Sequence, residues 1–595
     1  MSGFHFSPRT NRAADINWRE WGDAAFEQAR DQNRPILLAI SAVWCHWCHV
    51  MDETTYSSDD VIELINRRYV PVRVDNDQRP DINARYNQGG WPTTAILTPD
   101  GEILKGATYV PPDQMFTLLS QVGSFYADPE NRIAIARRMT ELKTRRDDAR
   151  AQPAGALKPD IADRVFSFLD ANFDERYGGF GSDQKFPMTS ALHFLLDRWQ
   201  RTRDDRSREI AVKSLRAMAG GGMYDRVHGG FYRYSTTRDF SVPHFEKMLE
   251  DLGGLLLACA RCAAMFDDAK LGRIAIEVRS YIDERLWNAT FGAYGGSQDA
   301  DESYYALDAA GRATLAQPYV DPTIFASWNA ETARALITGG PLLERFGADA
   351  SDWTQRGTEL LETLWSRLVD DGLACRYYDG EKHIRGLLGD QAWTAWALLS
   401  AYEASGATMW LDRALTIVNA SEVLFDSQAG MYADRVRSGD ELGRVAEPSF
   451  PLDDNSLMAR ALIKAAALTG DDKHRDRARS LLESNADSYR GYGMFAAEYG
   501  SAALDWFSPP VEVRIIGAST DSGTVALRET ARRAAPTALT IEVVDPDRDA
   551  SRMNSLGHTN GRAPTAYLCD ERSCFAKTSD AAELEAVLSR PHHQA

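Results

Sequence analysis

The hexapeptide Trp44-Cys45-His46-Trp47-Cys48-His49 narrows the fold more than any other stretch. It stands where an apolar, strand-like run from Pro35 to Ser41 gives way to a helical pattern through Val50 and Met51. Two cysteines three apart at the start of a helix are within reach of each other. Unpaired N–H groups and the macrodipole at a helix N-terminus favour the thiolate of the first. Cys45 is therefore the candidate nucleophile and Cys48 the resolving thiol, and a protonated His46 adds to the stabilisation.

Three chemistries use such a string. C-x-x-C-H attaches c-type haem in exported chains, but Met1 to Asn11 is polar and lacks an apolar signal core. A metal at Cys45, Cys48 and His49 is an alternative that lacks an obvious fourth ligand. A thioredoxin-like fold asks for strand, CxxC, helix, and a later proline loop. Gly89-Gly90-Trp91-Pro92-Thr93-Thr94 ahead of a strand from Ala95 to Thr98 supplies that loop, and Pro92 is expected in the cis form against the cysteines. The plainer alternative keeps the same fold as a scaffold with idle thiols. The imidazole of His46 predicts a potential less negative than the roughly −270 mV of thioredoxin.

A chain of 595 residues exceeds one ordinary domain. With 67 basic and 86 acidic side chains the formal charge is −19, which disfavours nucleic acid and anionic membrane as partners. No apolar run approaches the roughly 20 residues of a membrane span. Seven cysteines make no disulfide framework at this length, so a reducing cytoplasm is the expected location.

Alternating strands and helices make residues 1–150 an α/β domain of thioredoxin type, closed by a helix from Asp113 to Ala127. Arg137 to Pro159 reads as a charged helix plus linker. In 151–505, long helical patterns alternate with loops carrying Gly and an aromatic, such as Gly178-Gly179-Phe180, Gly292-Ala293-Tyr294 and Gly430-Met431-Tyr432. Their spacing of roughly 55–75 residues suits helical hairpins, and six hairpins give an (α/α)6 toroid. Residues 506–595 return to a small α/β pattern in which Pro564-Thr565-Ala566-Tyr567 echoes Pro92-Thr93-Thr94-Ala95. This suggests a degenerate thioredoxin-like half. Cys569 and Cys574 flank a turn there, as a second pair or as stray core thiols.

Within the toroid, Phe245, Met248, Leu252 and Leu255 share one face of a helix predicted to start at Pro243. His244, Lys247 and Asp251 run along its edge, with Glu246 further round. His228 and His244 are a candidate pair of bases for moving a proton on and off carbon. Paired carboxylates instead suit glycosidic hydrolysis. Lys185, Tyr224, Asp225, Tyr234, Asp299, Asp301, Asn329, Asp390 and Asn455 are the candidate binding residues. A buried ion-pair network stitching the helices is the structural alternative. Cys259 and Cys262 repeat the CxxC spacing inside an apolar stripe and read as core.

The CxxC hexapeptide with Val50-Met51, the Gly90-Trp91-Pro92-Thr93 loop, Tyr224-Asp225 to Tyr234, and Pro243-His244-Phe245-Glu246-Lys247-Met248-Leu249 together resemble the thioredoxin domain-containing family typified by spermatogenesis-associated protein 20. The resemblance spans nearly the whole chain. It implies a thioredoxin-like domain joined to a six-hairpin glycosidase-like toroid, related in shape to sugar epimerases. This chain departs from the family pattern in its shortened segment after Asp299-Ala300-Asp301, in Asp321-Pro322-Thr323, and in Pro451-Leu452-Asp453-Asp454-Asn455-Ser456.

The leading expectation is a thiol-disulfide redox protein whose Cys45/Cys48 site acts with a toroid pocket. The first alternative is a carbohydrate-active epimerase or hydrolase centred on the toroid, and the second a non-enzymatic scaffold. No cofactor is predicted. The expected partner is a protein thiol or a small molecule such as a sugar.

Overall fold

The computed structural model of the chain describes residues 4–150, 155–534, 537–557, 563–570 and 573–589. Two compact units emerge. One gathers Met1–Gln152, Asp299–Asp301 and Asp434–Ser449, and the other holds the remainder.

In the first unit the order is α1 (Asp23–Gln32), β1 (Ile36–Ser41), α2 (His46–Glu53), α3 (Asp59–Arg68), β2 (Val70–Asp75), α4 (Pro80–Tyr86), β3 (Thr93–Leu97), β4 (Ile103–Ala107), α5 (Pro112–Ala127) and α6 (Pro129–Arg150). The sheet runs β2-β1-β3-β4, with β1 parallel to β2 and antiparallel to β3. Strand alternation sends Leu37 and Ala39 to one face, against Val61 and Ile65 of α3 and Met115 and Leu119 of α5. Ile36, Leu38 and Ile40 go to the other, against Phe26 of α1 and Tyr86 of α4. Both faces are covered, which is why β1 reads as an unbroken apolar run. This is a thioredoxin-like domain. The linker expected before Pro159 is helical as far as Arg150, and residues 151–154 lie outside those described.

The second unit opens with twelve helices that alternate between two rings. The outer ones are α7 (Ile161–Asn172), α9 (Asp205–Gly220), α11 (Ala269–Tyr281), α13 (Ala350–Leu368), α15 (Thr408–Ala420) and α17 (Asp472–Asn485). The inner ones are α8 (Thr189–Thr202), α10 (Leu249–Phe266), α12 (Ala326–Leu343), α14 (Leu388–Ser405), α16 (Leu452–Thr469) and α18 (Ala497–Phe507). Each inner helix packs on the next, and α18 returns to α8, so the ring closes as an (α/α)6 toroid. The first outer helix, α7, backs the last inner one, α18. Inner helices are enclosed on most sides, so α10 is buried without a break from Leu252 to Ala263. Outer α17 buries only Ala478, Leu481, Leu482 and Asn485.

Long connections lead from outer to inner helices and short ones lead back. The Gly-aromatic signal belongs to the long ones, where it folds as a small hairpin. Trp287–Asn288 pairs with Ala293–Tyr294, and Phe425–Asp426 with Met431–Tyr432. Gly292 (φ 72°) and Gly430 (φ 68°) turn these hairpins in the left-handed region.

The helix expected from Pro243 begins instead at Leu249. Pro243–His244 pairs with Tyr234–Ser235, and Lys247–Met248 with Ser297–Gln298. Backbone partners distant in sequence override the local helical spacing of Phe245 and Met248. His244 and Lys247 therefore stand on strands and share no helix edge with Asp251.

The chain ends in β5 (Val511–Ile516), α19 (Ser522–Arg533), β6 (Leu539–Val544), β7 (Thr565–Cys569), β8 (Cys574–Thr578) and α20 (Ala581–Leu588). The sheet order β6-β5-β7-β8 and the strand senses repeat those of the first unit. At the β5–α19 junction no cysteine stands, and Asp521 caps the helix through the amides of Gly523 and Thr524. Cys569 and Cys574 face each other across β7 and β8 as a disulfide, and residues 571–572 lie outside those described.

Candidate functional site

At the end of β1, Cys45 is the N-cap of α2. Its backbone is extended and its Sγ accepts the Cys48 N–H at 3.2 Å. The two cysteines are joined as a disulfide. Trp44 Nε1 donates to Asp77 Oδ2 at 2.7 Å and its ring meets Trp91 edge-on, tying the motif to the following loops. The Trp91–Pro92 peptide is cis and Pro92 is buried. Cys45 and Cys48 are 4% and 3% exposed, whereas Trp47 is 48% exposed. His46 is half-buried and lies edge-on to Trp47.

In the sequence His49 stands out only as a metal ligand. Its Nε2 lies 3.2 Å from Asp299 Oδ2 and 3.0 Å from the Val43 carbonyl. Burial opposes its protonation, but Asp299 outweighs burial and holds the imidazole above its ordinary value. A cation is thus favoured one helical turn beyond Cys45. Asp299 belongs with His49, and Asp301 lies in the same short segment of the first unit. Among the described residues no group of three or more His, Cys, Asp or Glu side chains is arranged to hold a metal ion.

In the second unit several candidate residues build the loops themselves. Lys185 Nζ donates to Asp174 Oδ2 and to the Gly178 carbonyl, both at 2.6 Å. Lys247 Nζ repeats this with Asp225 Oδ2 at 2.7 Å and the Gly229 carbonyl at 2.8 Å. Each lysine staples a Gly-aromatic hairpin. Asp225 also takes Arg312 Nη1 at 2.7 Å. Tyr224 donates its hydroxyl to Glu277. His228 sits 3.3 Å from Arg312 Nη1, and burial followed by Arg285 lowers its pKa.

A second device occupies the fourth residue of three inner helices. Asn329 accepts the Tyr294 N–H at 2.9 Å and donates to the Tyr294 and Phe325 carbonyls, both at 3.0 Å. Asn455 treats Tyr432 and Pro451 the same way, and Gln391 does so with Ala374 and Leu387. Asp390 accepts the Ser327 N–H at 3.1 Å and pairs with Arg376 at 3.2 Å, and burial pushes its pKa up. Cys259 and Cys262 are buried free thiols, and burial pushes Cys262 up to about 12.

Four candidates do meet. His244 stacks on Tyr234 at 4.9 Å, and its Nδ1 bonds the buried Glu246 carboxylate. Burial opposes charging of His244, but Glu246 and Glu302 outweigh it and raise its pKa. Asp251 lies within the field of Glu246. Burial and Glu250 push it up to about 7, with Glu246 adding to the rise. On α16, burial, Glu498 and Asp454 push Asp453 up to about 7 as well. Glu331 on α12, overlooked in the sequence, is raised well above its ordinary value by burial, then by Glu250, with Asp251 and Glu498 contributing. Acids on α10, α12, α16 and α18 thus converge at the loop-bearing end of the ring. Neutral carboxyl groups beside ionised ones can donate and accept protons near pH 7.

These pKa values carry a cost in stability. Between 3.8 and about 7 the folded state holds a proton on Asp251 and on Asp453 that the unfolded chain has released. Stability therefore falls as pH rises through that window and levels off above it. Asp251→Asn and Asp453→Asn should each raise the unfolding free energy at pH 8 by roughly 1–3 kcal/mol. Urea titrations at pH 8 and near pH 4 should show the gain shrinking at the lower pH. An equal gain at both would refute the assignment.

A family profile described as Thioredox_DsbH, protein of unknown function, DUF255, matches residues 7–143. Human spermatogenesis-associated protein 20 aligns over 719 positions at 26% identity, covering 96% of this chain and 90% of that protein. The chain is homologous to that protein over most of its length. The mouse protein of the same name is 32% identical over 309 residues, 48% of this chain and 39% of its own length. A cellobiose 2-epimerase from Spirochaeta thermophila DSM 6192 resembles it with a TM-score of 0.48 and 16% identity, covering 59% of this chain and 94% of that one. Among the described residues no helix is long and apolar enough to cross a membrane.

Proposed function

We propose that this protein carries out thiol–disulfide exchange through Cys45 and Cys48. The reading rests on Cys45 at the α2 N-cap, its sulfur receiving the Cys48 amide and bonded to Cys48. Helix N-terminus and amide both favour a Cys45 thiolate, while burial opposes it. In a reducing cytoplasm the pair rests as a dithiol ready to attack a partner disulfide. Reduction of insulin disulfides by the purified protein, compared with its Cys45→Ser variant, tests this. Equal rates would refute it.

A second reading is favoured by Asp251, Asp453, His244 and Glu246. Neutral acids near pH 7 beside an oriented imidazole suit proton transfer on a polyhydroxylated substrate, hence a sugar epimerase or hydrolase. A sugar-library screen tests it. His244→Ala should lower turnover of any accepted sugar about 10²- to 10⁴-fold. If no member of the library is turned over, this reading fails.

A further inference from the structure

The end of the toroid opposite the Gly-aromatic loops holds a cavity of about 730 Å³ between the C-terminal halves of the inner helices and the C-terminal α/β domain. Its volume lies within the range of small-molecule sites. The chain as a whole is acidic, with a formal charge of −19. Yet among the described residues nine arginines and lysines line this cavity against six aspartates and glutamates.

Most of these cations have protein partners. Arg261 pairs with Asp197 at 2.6 Å, Lys464 with Glu403 at 2.7 Å, and Arg460 with Asp505 at 2.7 Å. Arg334 of α12 differs. Among the described residues no hydrogen bond or ion pair is made by its guanidinium, which stands 5.4 Å from the Trp396 ring centroid. Arg460 and Lys464 stand over the same indole at 5.2 and 4.7 Å. Three cations thus gather around one indole ring.

Three internal sources of countercharge fall short. Asp197 favours the charged form of Arg334, but its two carboxylate oxygens are already held by Arg261 and Arg460. Helix C-termini offer partial negative charge, but that field fades within the last turn, and Arg334 stands nine residues before the end of α12. Glu331 lies one turn earlier, but burial and then Glu250 drive it toward the neutral form. Burial, and then Arg460 and Arg261, pull Arg334 itself down to about 10. A desolvated cation among like charges is unfavourable unless something neutralises it.

We propose that this cavity binds a phosphate group, carried as an ester on a small organic body, with Arg334 as its principal ligand and Arg460 and Lys464 beside it. The donors come from α12 and α16, with Arg261 adding α10. Such a spread of directions fits a tetrahedral oxyanion better than a planar carboxylate. The remaining volume accommodates the body of the ester.

Calorimetric titration of the full chain with pyrophosphate at low salt tests the assignment, with citrate in a parallel arm. Expected is saturable one-to-one binding that weakens as salt is added, and that falls about tenfold or more in Arg334→Gln. Because Arg334 makes no hydrogen bond or ion pair among the described residues, this variant should keep or exceed the wild-type melting temperature without anion. Lys464→Gln provides a second reading of the same loss should Arg334→Gln fail to fold. The proposal is overturned by absence of saturable heat up to about 1 mM pyrophosphate, by equal affinity in wild type and Arg334→Gln, or by citrate binding as tightly as pyrophosphate.

Discussion

Serine at position 45 will leave the protein without thiol–disulfide exchange, a loss of at least roughly a thousandfold in insulin reduction, because a hydroxyl is not ionised where a thiolate is. In the intact protein the Cys45 thiolate attacks one sulfur of a partner disulfide. A mixed disulfide forms and the other partner sulfur leaves as a thiolate. The Cys48 thiolate then attacks Cys45 Sγ, closes the Cys45–Cys48 bond and releases the second partner thiol. Two electrons have passed from the pair to the partner, and dithiothreitol in the assay restores the dithiol. Cys48→Ser halts after the first step, so it should accumulate a mixed disulfide visible by mass spectrometry, whereas Cys45→Ser should not. Equilibration of the wild type in glutathione buffers should give a potential less negative than thioredoxin's roughly −270 mV, since the N-terminus of α2 stabilises the reduced thiolate. A trapped adduct on the Cys45→Ser variant would reverse the assigned roles.

Asp225→Ala should destabilise the toroid by roughly 3–5 kcal/mol. Asp225 Oδ2 lies 2.7 Å from both Lys247 Nζ and Arg312 Nη1, and the three side chains are 0–3% exposed. Truncation strands two cations away from water. Burial alone would raise the Asp225 pKa, but Lys247 and Arg312 outweigh it and hold the group at about 2. Its folded value is thus depressed, so its contribution is complete above the unfolded value of 3.8 and is lost as pH falls through about 2. Urea unfolding at pH 7 measures the effect, and a change below roughly 1 kcal/mol would show that the network is solvated.

The sequence carries the thiol site because its signals are local: a strand, an N-cap cysteine, and a proline loop some forty residues on. The ring of helices is equally readable, since most hairpins repeat a Gly-aromatic turn. That same repetition misleads about chemistry. Lys185, Lys247, Asn329 and Asn455 attract notice as polar residues in loops and helix starts, and all four turn out to brace backbone. Residues 243–248 mislead for another reason, because Phe245 and Met248 satisfy helical spacing while Pro243–His244 and Lys247–Met248 are paired as short strands. Glu331, Glu498 and Arg334 give no local sign at all. Each is one polar residue on an inner helix, and only closure of the ring makes them neighbours.

The amide brackets at Asn329, Gln391 and Asn455 bear on how such a molecule can change. Each fastens the base of its loop to the helix that follows. Positions in the span beyond the fastening that make no contacts of their own can therefore be exchanged without shifting the helix behind it, whereas Ser297, Gln298, Asp299 and Arg312 cannot. Exchanging such positions is then a route to new binding walls on an undisturbed frame, and evolution has had the same freedom.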